Sequence, residues 1–129
     1  MSKILCVDDS EAVRTHLKRI FESDDFTVIE AVDGVQGIDA VKGNPDIKLI
    51  IADVNMPVMD GIRMCELLHK DGLIAEIPVI MISTESNATL KAAGKAVGVI
   101  AWISKPFNPD LLVATAKKLI ASRAAKATA

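Results

Sequence analysis

The sequence predicts an α/β fold in which five parallel strands alternate with five helices. Short runs of β-branched and aliphatic residues recur along the chain, at 3–7, 27–31, 49–52, 78–82 and 99–103. These runs show no alternation of polar and apolar residues, which is typical of strands buried on both faces of a parallel sheet. Longer amphipathic segments separate the runs, as the right-handed crossovers of βαβ units require.

The amphipathic segments have the spacing of helices that bury one face. After the first, third and fifth strands, apolar residues recur three or four positions apart. These stripes are Val13, Leu17, Ile20 and Phe21; Ile62, Met64, Cys65 and Leu68; and Leu112, Ala116, Leu119 and Ile120. Asp33-Gly34 and the stretch 43–45 are turn signals. The segment 87–97 is the weakest of the predicted helices, because Gly94 interrupts it.

Composition and charge limit the possible functions. The 129 residues suit one domain at 1–124, followed by a short polar tail at 125–129. A net charge of −2 with 25% charged residues is not typical of a nucleic-acid-binding protein. No apolar run approaches the ~20 residues of a membrane span, and the first strand is too short for a signal peptide. We therefore expect a cytoplasmic monomer in which Cys6 and Cys65 are ordinary buried thiols.

Reactive residues follow four of the predicted strands. The carboxyl ends of parallel strands meet at one edge of the sheet, where ligands bind. The residues expected at this edge are Asp8-Asp9, Asp53, Ser83-Thr84 and Lys105-Pro106. Three clustered carboxylates repel one another unless a cation lies among them. Oxygen ligands without His or Cys suit a hard ion, and few carboxylates with room for phosphate oxygens suit Mg²⁺ better than Ca²⁺.

Several of these residues also have ordinary structural interpretations. Taken alone, Asp8-Asp9 fits a helix cap followed by an acid in the first turn. Ser83 alone fits a turn, Lys105 a solvated strand end and Trp102 a core side chain. The cluster as a whole favours function, because a carboxylate beside a metal ion and an ammonium group can accept a phosphoryl group.

Four short motifs at these strand ends resemble the receiver domain of two-component response regulators. They are VDDS, DVNMPVMDG, ISTE and SKPF, in this order along the chain. The resemblance covers essentially the whole chain and is strongest to single-domain, CheY-like regulators. It implies a flavodoxin-like, doubly wound sheet with strand order 2-1-3-4-5, which is the order of CheY itself.

The resemblance also implies a phospho-acceptor and a metal site. Asp53 resembles the aspartate that receives the phosphoryl group. Asp8 and Asp9 resemble the acidic pair that holds Mg²⁺ together with Asp53, and Asp9 would be the more direct ligand. Asn55 would contribute its backbone carbonyl to the metal, while Glu85 resembles a residue that tunes dephosphorylation together with Asn55.

Further residues resemble the parts of the family that sense and transmit phosphorylation. The Ser83 hydroxyl and the Lys105 ammonium would bond the phosphoryl oxygens, and Pro106 is similar to the cis-proline neighbour of that lysine. Trp102 occupies the place of the switch aromatic, which is usually Tyr or Phe. Thr84 stands where the family commonly has Ala or Gly, so its bulk is expected to narrow access to Asp53.

Three functions compete at this point. The first is a signalling domain that takes a phosphoryl group from a histidine kinase or phosphotransfer protein and then binds a downstream effector protein, as in chemotaxis. The second is a receiver-fold adaptor that binds its partner without phosphorylation. The third is a phosphatase of the haloacid dehalogenase type, which would need an acid where this chain has Asn55. In the first two, the output is expected to be protein contact near helix 4, strand 5 and helix 5.

Overall fold

The computed structural model describes residues 2–74, 77–85 and 87–128, in which strands and helices alternate. The elements are β1 (Lys3–Val7), α1 (Glu11–Glu22), β2 (Thr27–Ala31), α2 (Gly34–Gly43), β3 (Ile47–Asp53), α3 (Gly61–Lys70), β4 (Val79–Ser83), α4 (Ala88–Ala96), β5 (Val99–Ser104) and α5 (Pro109–Thr128). The strands form one parallel sheet in the order β2-β1-β3-β4-β5. The predicted fold class and strand order are confirmed.

Helices cover both faces of the sheet and create two apolar cores. Strand β1 supplies both cores, because successive side chains of a strand point to opposite faces. Leu5 and Val7 pack with residues of α2 and α3, whereas Ile4 and Cys6 pack with residues of α1 and α5. All four side chains are at most 1% exposed. Burial on both faces explains why the strand sequences lack a polar–apolar alternation.

Side-chain caps begin the first four helices near the carboxyl edge of the sheet. The capping residues are Ser10, Asp33, Asp60 and Asn87, and each accepts a hydrogen bond from a backbone N–H in the first helical turn. The predicted turn at Asp33-Gly34 is therefore the start of α2. A Cβ atom at Gly34 would lie 2.6 Å from Cγ of Met59, so the glycine allows α2 to approach the β3–α3 loop.

Some element ends differ from the predicted ones. Strand β3 begins at Ile47 instead of residue 49, and β4 begins at Val79 because Pro78 has no N–H to donate. Strand β5 extends to Ser104. The backbone of α5 is helical through Thr128, so the predicted polar tail belongs to this helix up to that residue, and residue 129 lies outside the described ranges.

Two further features bear on the environment of the chain. Cys6 and Cys65 are buried and unpaired, as predicted. Burial raises the pKa of the Cys65 thiol to about 12 and raises that of Cys6 as well. Among the described residues, no helix is both long enough and apolar enough to span a bilayer.

The first prediction concerns Gly61, the first residue of α3. A Cβ atom at this position would overlap the backbone oxygen of Asp53, which cannot move without displacing the end of β3. We expect Gly61→Ala to lower the free energy of unfolding by about 2 kcal/mol or more, as measured by urea denaturation.

Gly43→Ala is the matched control, because a Cβ atom at this helical position meets nothing within 4 Å. It should raise stability by roughly 0.5 kcal/mol through the lower entropy of the unfolded chain. Equal unfolding midpoints for Gly61→Ala and the wild type would contradict the close approach of α3 to β3.

Candidate functional site

Three carboxylates lie together at the carboxyl edge of the sheet. Asp8 and Asp9 directly follow β1, and Asp53 is the last residue of β3. One oxygen atom from each carboxylate lies within 4.8 Å of the others. Asp8 is only 3% and Asp53 only 9% exposed, whereas Asp9 faces solvent. The structure thus brings together acids from two separate parts of the sequence.

Lys105 places a positive charge between two of these acids. Its Nζ atom lies 3.0 Å from Oδ2 of Asp8 and 3.2 Å from Oδ2 of Asp53. The backbone N–H of Lys105 donates to the carbonyl of Ser83 at 2.9 Å, which holds the β5–α5 loop against the end of β4. The peptide bond between Lys105 and Pro106 is cis, as the resemblance implied.

Lys105 and the other surroundings of Asp53 have opposite effects on the pKa of its carboxyl. Burial raises the pKa of the Asp53 carboxyl, the neighbouring charge of Asp8 raises it further, and Lys105 offsets only part of this rise. Burial alone would lower the pKa of Lys105, but the hydrogen bond to Asp8 and the charges of both acids raise that pKa above its ordinary value. The ammonium group therefore stays charged, while the metal-free site still disfavours the Asp53 carboxylate.

Glu85 connects the remaining predicted residues of the site. Its backbone N–H donates to Oγ of the fully buried Ser83 at 3.0 Å. Its carboxylate accepts a hydrogen bond from the side-chain amide of Asn55 at 2.9 Å, and its carbonyl accepts one from the indole N–H of Trp102 at 3.0 Å. A shift of Ser83 would therefore move Glu85, which contacts both Asn55 and Trp102.

Trp102 lies on β5 and is half-buried against α4. A Cβ atom at Gly94 would lie 3.1 Å from Cζ3 of the indole ring. Gly94, which in the sequence only weakens the predicted helix, therefore provides space for this large aromatic ring. Thr84 is exposed between Ser83 and Glu85.

The donor atoms fit a hard divalent cation. The cluster offers three carboxylates and, within the described residues, contains no imidazole or thiolate. Asn55 lies two residues beyond Asp53 in the β3–α3 loop, and its side chain is occupied by Glu85.

Sequence reasoning missed one residue that contacts this site. The Nη1 atom of Arg14 donates to the backbone carbonyl of Asp8, and its Nε atom donates to Oε1 of Glu30 at 3.3 Å. A signal was available, because Arg14 lies in the first turn of a helix whose cap, Ser10, follows the acids directly. The sequence does not predict Glu30 as the partner of Arg14, because Glu30 lies on β2 and Arg14 on α1.

Comparison with known proteins identifies the family. The sequence pattern of the response regulator receiver domain matches residues 4–117. This chain belongs to the response regulator receiver family. The chemotaxis protein CheY1 of Helicobacter pylori is 36% identical to this receiver over 111 residues, which cover 85% of this chain and 90% of the relative.

Solved structures agree with this assignment. The chemotaxis protein CheY4 of Vibrio cholerae matches the receiver with a TM-score of 0.86 at 34% identity, covering 92% of this chain and 98% of its own. A CheY-like receiver domain protein of Methanospirillum hungatei matches with a TM-score of 0.91 at 26% identity, covering 98% of each chain.

Family membership decides between the classes of function considered above. The receiver is a signalling domain of two-component systems and not a conventional metabolic enzyme. Receiver domains of this family work with histidine kinases and with downstream effectors. The phosphatase of the haloacid dehalogenase type is therefore the wrong interpretation of the carboxylate cluster.

The electrostatics of the site lead to a second prediction. Because burial and Asp8 raise the pKa of Asp53, its charge destabilises the metal-free fold. With chelator present at neutral pH, Asp53→Asn should raise the free energy of unfolding by roughly 1 kcal/mol in urea denaturation. The folded state binds the Asp53 proton more tightly than the unfolded state, so this gain should vanish as the pH falls below the usual range for Asp.

Asp46→Asn serves as the control with the opposite sign. The hydrogen bond from Lys3 lowers the pKa of this exposed carboxyl, and the two side chains meet at 3.0 Å. The carboxylate of Asp46 therefore contributes stability above its unfolded pKa, and the same substitution should slightly destabilise the fold at neutral pH. A loss of stability in metal-free Asp53→Asn would contradict the electrostatic account.

Proposed function

We propose that this receiver is switched by phosphorylation and that Asp53 accepts the phosphoryl group from a histidine kinase or phosphotransfer protein. One observation carries the proposal: the Asp53 carboxylate is almost buried, lies 3.2 Å from the Lys105 ammonium and shares its edge of the sheet with two further acids. A buried carboxylate that already lies beside a positive charge is well placed to act as a nucleophile.

The site would hold Mg²⁺ through the carboxylates of Asp8, Asp9 and Asp53 and the backbone carbonyl of Asn55. The all-oxygen donor set and the mutual repulsion of the acids support this assignment. When bound, the metal would neutralise phosphoryl oxygens as negative charge builds up on them. It would also relieve the repulsion that raises the pKa of Asp53.

Asp53, Lys105 and Ser83 would each have a different role in the phosphoryl transfer. An oxygen of Asp53 attacks the phosphorus of phosphohistidine, the P–N bond breaks, and its electron pair leaves with the imidazole of the donor. Lys105, already in contact with Asp53, pairs with a phosphoryl oxygen. The Ser83 hydroxyl gives up its contact with the N–H of Glu85 and donates to another phosphoryl oxygen. The domain thereby catalyses its own phosphorylation.

Asn55 and Glu85 would set the lifetime of the phosphoryl group. Their side chains meet at 2.9 Å, and each residue lies two positions beyond a strand end at the carboxyl edge, where we expect an attacking water to approach Asp53. The exposed Thr84 next to them would partly shield that approach. Self-catalysed dephosphorylation therefore depends on whether this pair remains closed.

The output would be a change in binding to a downstream protein. Inward movement of Ser83 would change the position of Glu85 and release or redirect the indole of Trp102, a small event that biases a two-state surface. Trp102 lines a groove between α4 and β5 together with Lys91, Lys95 and Ile100. The relatives named as chemotaxis proteins support a chemotaxis-like pathway. We propose that the protein acts as a cytoplasmic monomer. The free thiols agree with a reducing compartment.

The third prediction identifies the acceptor. With acetyl phosphate and Mg²⁺, intact-mass measurement should show one phosphoryl addition, because Asp53 is the single proposed acceptor. Asp53→Asn should abolish the addition, and chelation of the metal should reduce it strongly. Asp39→Asn, at an exposed position of α2, is the control and should be labelled like the wild type. Absence of labelling in the folded wild type would favour the phosphorylation-independent adaptor.

The fourth prediction concerns transmission to Trp102, which is the single Trp of a chain without Tyr. Beryllofluoride with Mg²⁺ should change Trp102 fluorescence, because the phosphoryl mimic draws Ser83 away from Glu85. Ser83→Ala should reduce this change to less than half while still being phosphorylated, since it lacks the donor and keeps Asp53. An equal fluorescence change in Ser83→Ala and the wild type would show that Trp102 does not report on Ser83.

A further inference from the structure

Arg14 contacts the acidic cluster at a group of Asp8 that Lys105 does not use. Its side chain is 12% exposed and lies between the β1–α1 loop and the neighbouring edge strand β2. Two different groups of the guanidinium are used: Nη1 donates to the carbonyl of Asp8, and Nε donates to the carboxylate of Glu30 at 3.3 Å. A planar guanidinium can satisfy both partners at once, whereas a lysine ammonium at this position cannot reproduce the fork.

The carbonyl that Arg14 contacts belongs to the peptide bond between Asp8 and Asp9. Because a peptide group is planar, the direction of this carbonyl also sets the position of the Asp9 N–H and Cα. The other polar groups of Asp8 are already held: its N–H donates to Ala31 at 3.1 Å, and its carboxylate accepts from Ser10 at 2.8 Å and Lys105 at 3.0 Å. Arg14 binds the remaining polar group of Asp8, its backbone carbonyl, which belongs to the peptide bond with Asp9.

Asp9 itself has little else to hold it. Its side chain faces solvent, and within the part of the chain that the structure describes it makes no hydrogen bond and no ion pair. Its carboxylate nevertheless has an oxygen within 4.8 Å of oxygens of Asp8 and Asp53. The direction in which this acid leaves the loop therefore depends on its backbone, and the contact from Arg14 controls that backbone.

From these contacts we infer that Arg14 is a positioning residue for Asp9 and that Glu30 holds Arg14 in the required orientation. The inference rests on the proposed function, because it concerns the same metal-binding acids. Arg14 acts through the Asp8–Asp9 peptide and not by touching the metal or the phosphoryl group. Its fixed positive charge also offsets some of the repulsion among the three acids.

The test compares Mg²⁺ affinities by NMR titration of amide shifts, a readout that does not require phosphorylation. Arg14→Lys keeps the charge and loses the fork, and it should weaken Mg²⁺ binding roughly tenfold, as is typical of residues that orient metal ligands. Arg14→Gln, which also loses the charge, should weaken it at least as much. Glu30→Gln, which keeps an acceptor for Nε, should retain most of the affinity, while Glu30→Ala should resemble Arg14→Lys.

Arg63→Lys is the matched control. Arg63 lies in the first turn of α3 and pairs with Glu66 on the surface, so the same arginine-to-lysine change is made in an arginine–glutamate pair away from the acids. It should leave Mg²⁺ affinity at the wild-type value. Thermal unfolding of all variants shows whether a weaker Mg²⁺ affinity comes from a less stable fold or from a misplaced Asp9.

A double-mutant cycle distinguishes a positioning role from a general structural one. If Arg14 acts through Asp9, Arg14→Lys should have little further effect on Mg²⁺ affinity in an Asp9→Ala background. Two fully additive effects would overturn the inference, and so would wild-type Mg²⁺ affinity in Arg14→Lys. Failure of the wild type itself to bind Mg²⁺ would overturn the proposed function instead, so the two failures are distinguishable.

Discussion

The contact of one ammonium group with two carboxylates organises the functional edge of this molecule. Lys105 comes from the loop after β5, Asp8 from the loop after β1 and Asp53 from the end of β3. Strands β1 and β3 are neighbours, but β4 lies between β3 and β5, so the lysine reaches across a strand to complete the site. The pairing brings two buried acids of like charge into one edge of the sheet, which they could not share without a nearby cation.

The Lys105 contact neutralises the acids only in part. The site can therefore respond to a bound metal ion and a phosphoryl group, as signalling requires. Lys105 compensates Asp53 only in part, since burial and Asp8 still raise the pKa of this proposed acceptor. A metal ion would bring the positive charge that the site lacks, and a phosphoryl group would offer oxygens to which the Ser83 hydroxyl could donate. Ser83 and Glu85 then connect the site to the surface, because Glu85 is hydrogen-bonded to both the buried Ser83 hydroxyl and the indole of Trp102.

Particular residues show how far sequence reasoning extends. The clustering of Asp8, Asp9 and Asp53 could be predicted because the carboxyl ends of parallel strands share one edge. From the sequence, Gly94 only weakens the predicted helix, whereas in the structure its lack of a side chain accommodates the Trp102 ring. The sequence predicts Gly34 as part of a turn, whereas in the structure it begins α2 and allows close packing against Met59. In both cases the space that the glycine provides belongs to a residue far away in the sequence.

The sequence alone determined the fold class, the strand order through its family resemblance, and the residues expected at the functional edge. Local hydrophobic patterns and the chemistry of strand ends are sufficient for this, because each depends on neighbouring residues. Only the tertiary structure decided which of those residues touch. It placed Lys105 between two acids, made Glu85 the link between Asn55, Ser83 and the indole, and set the Arg14 guanidinium on the Asp8 carbonyl. Such contacts depend on how the crossovers stack the loops in space, and no local pattern encodes that distance.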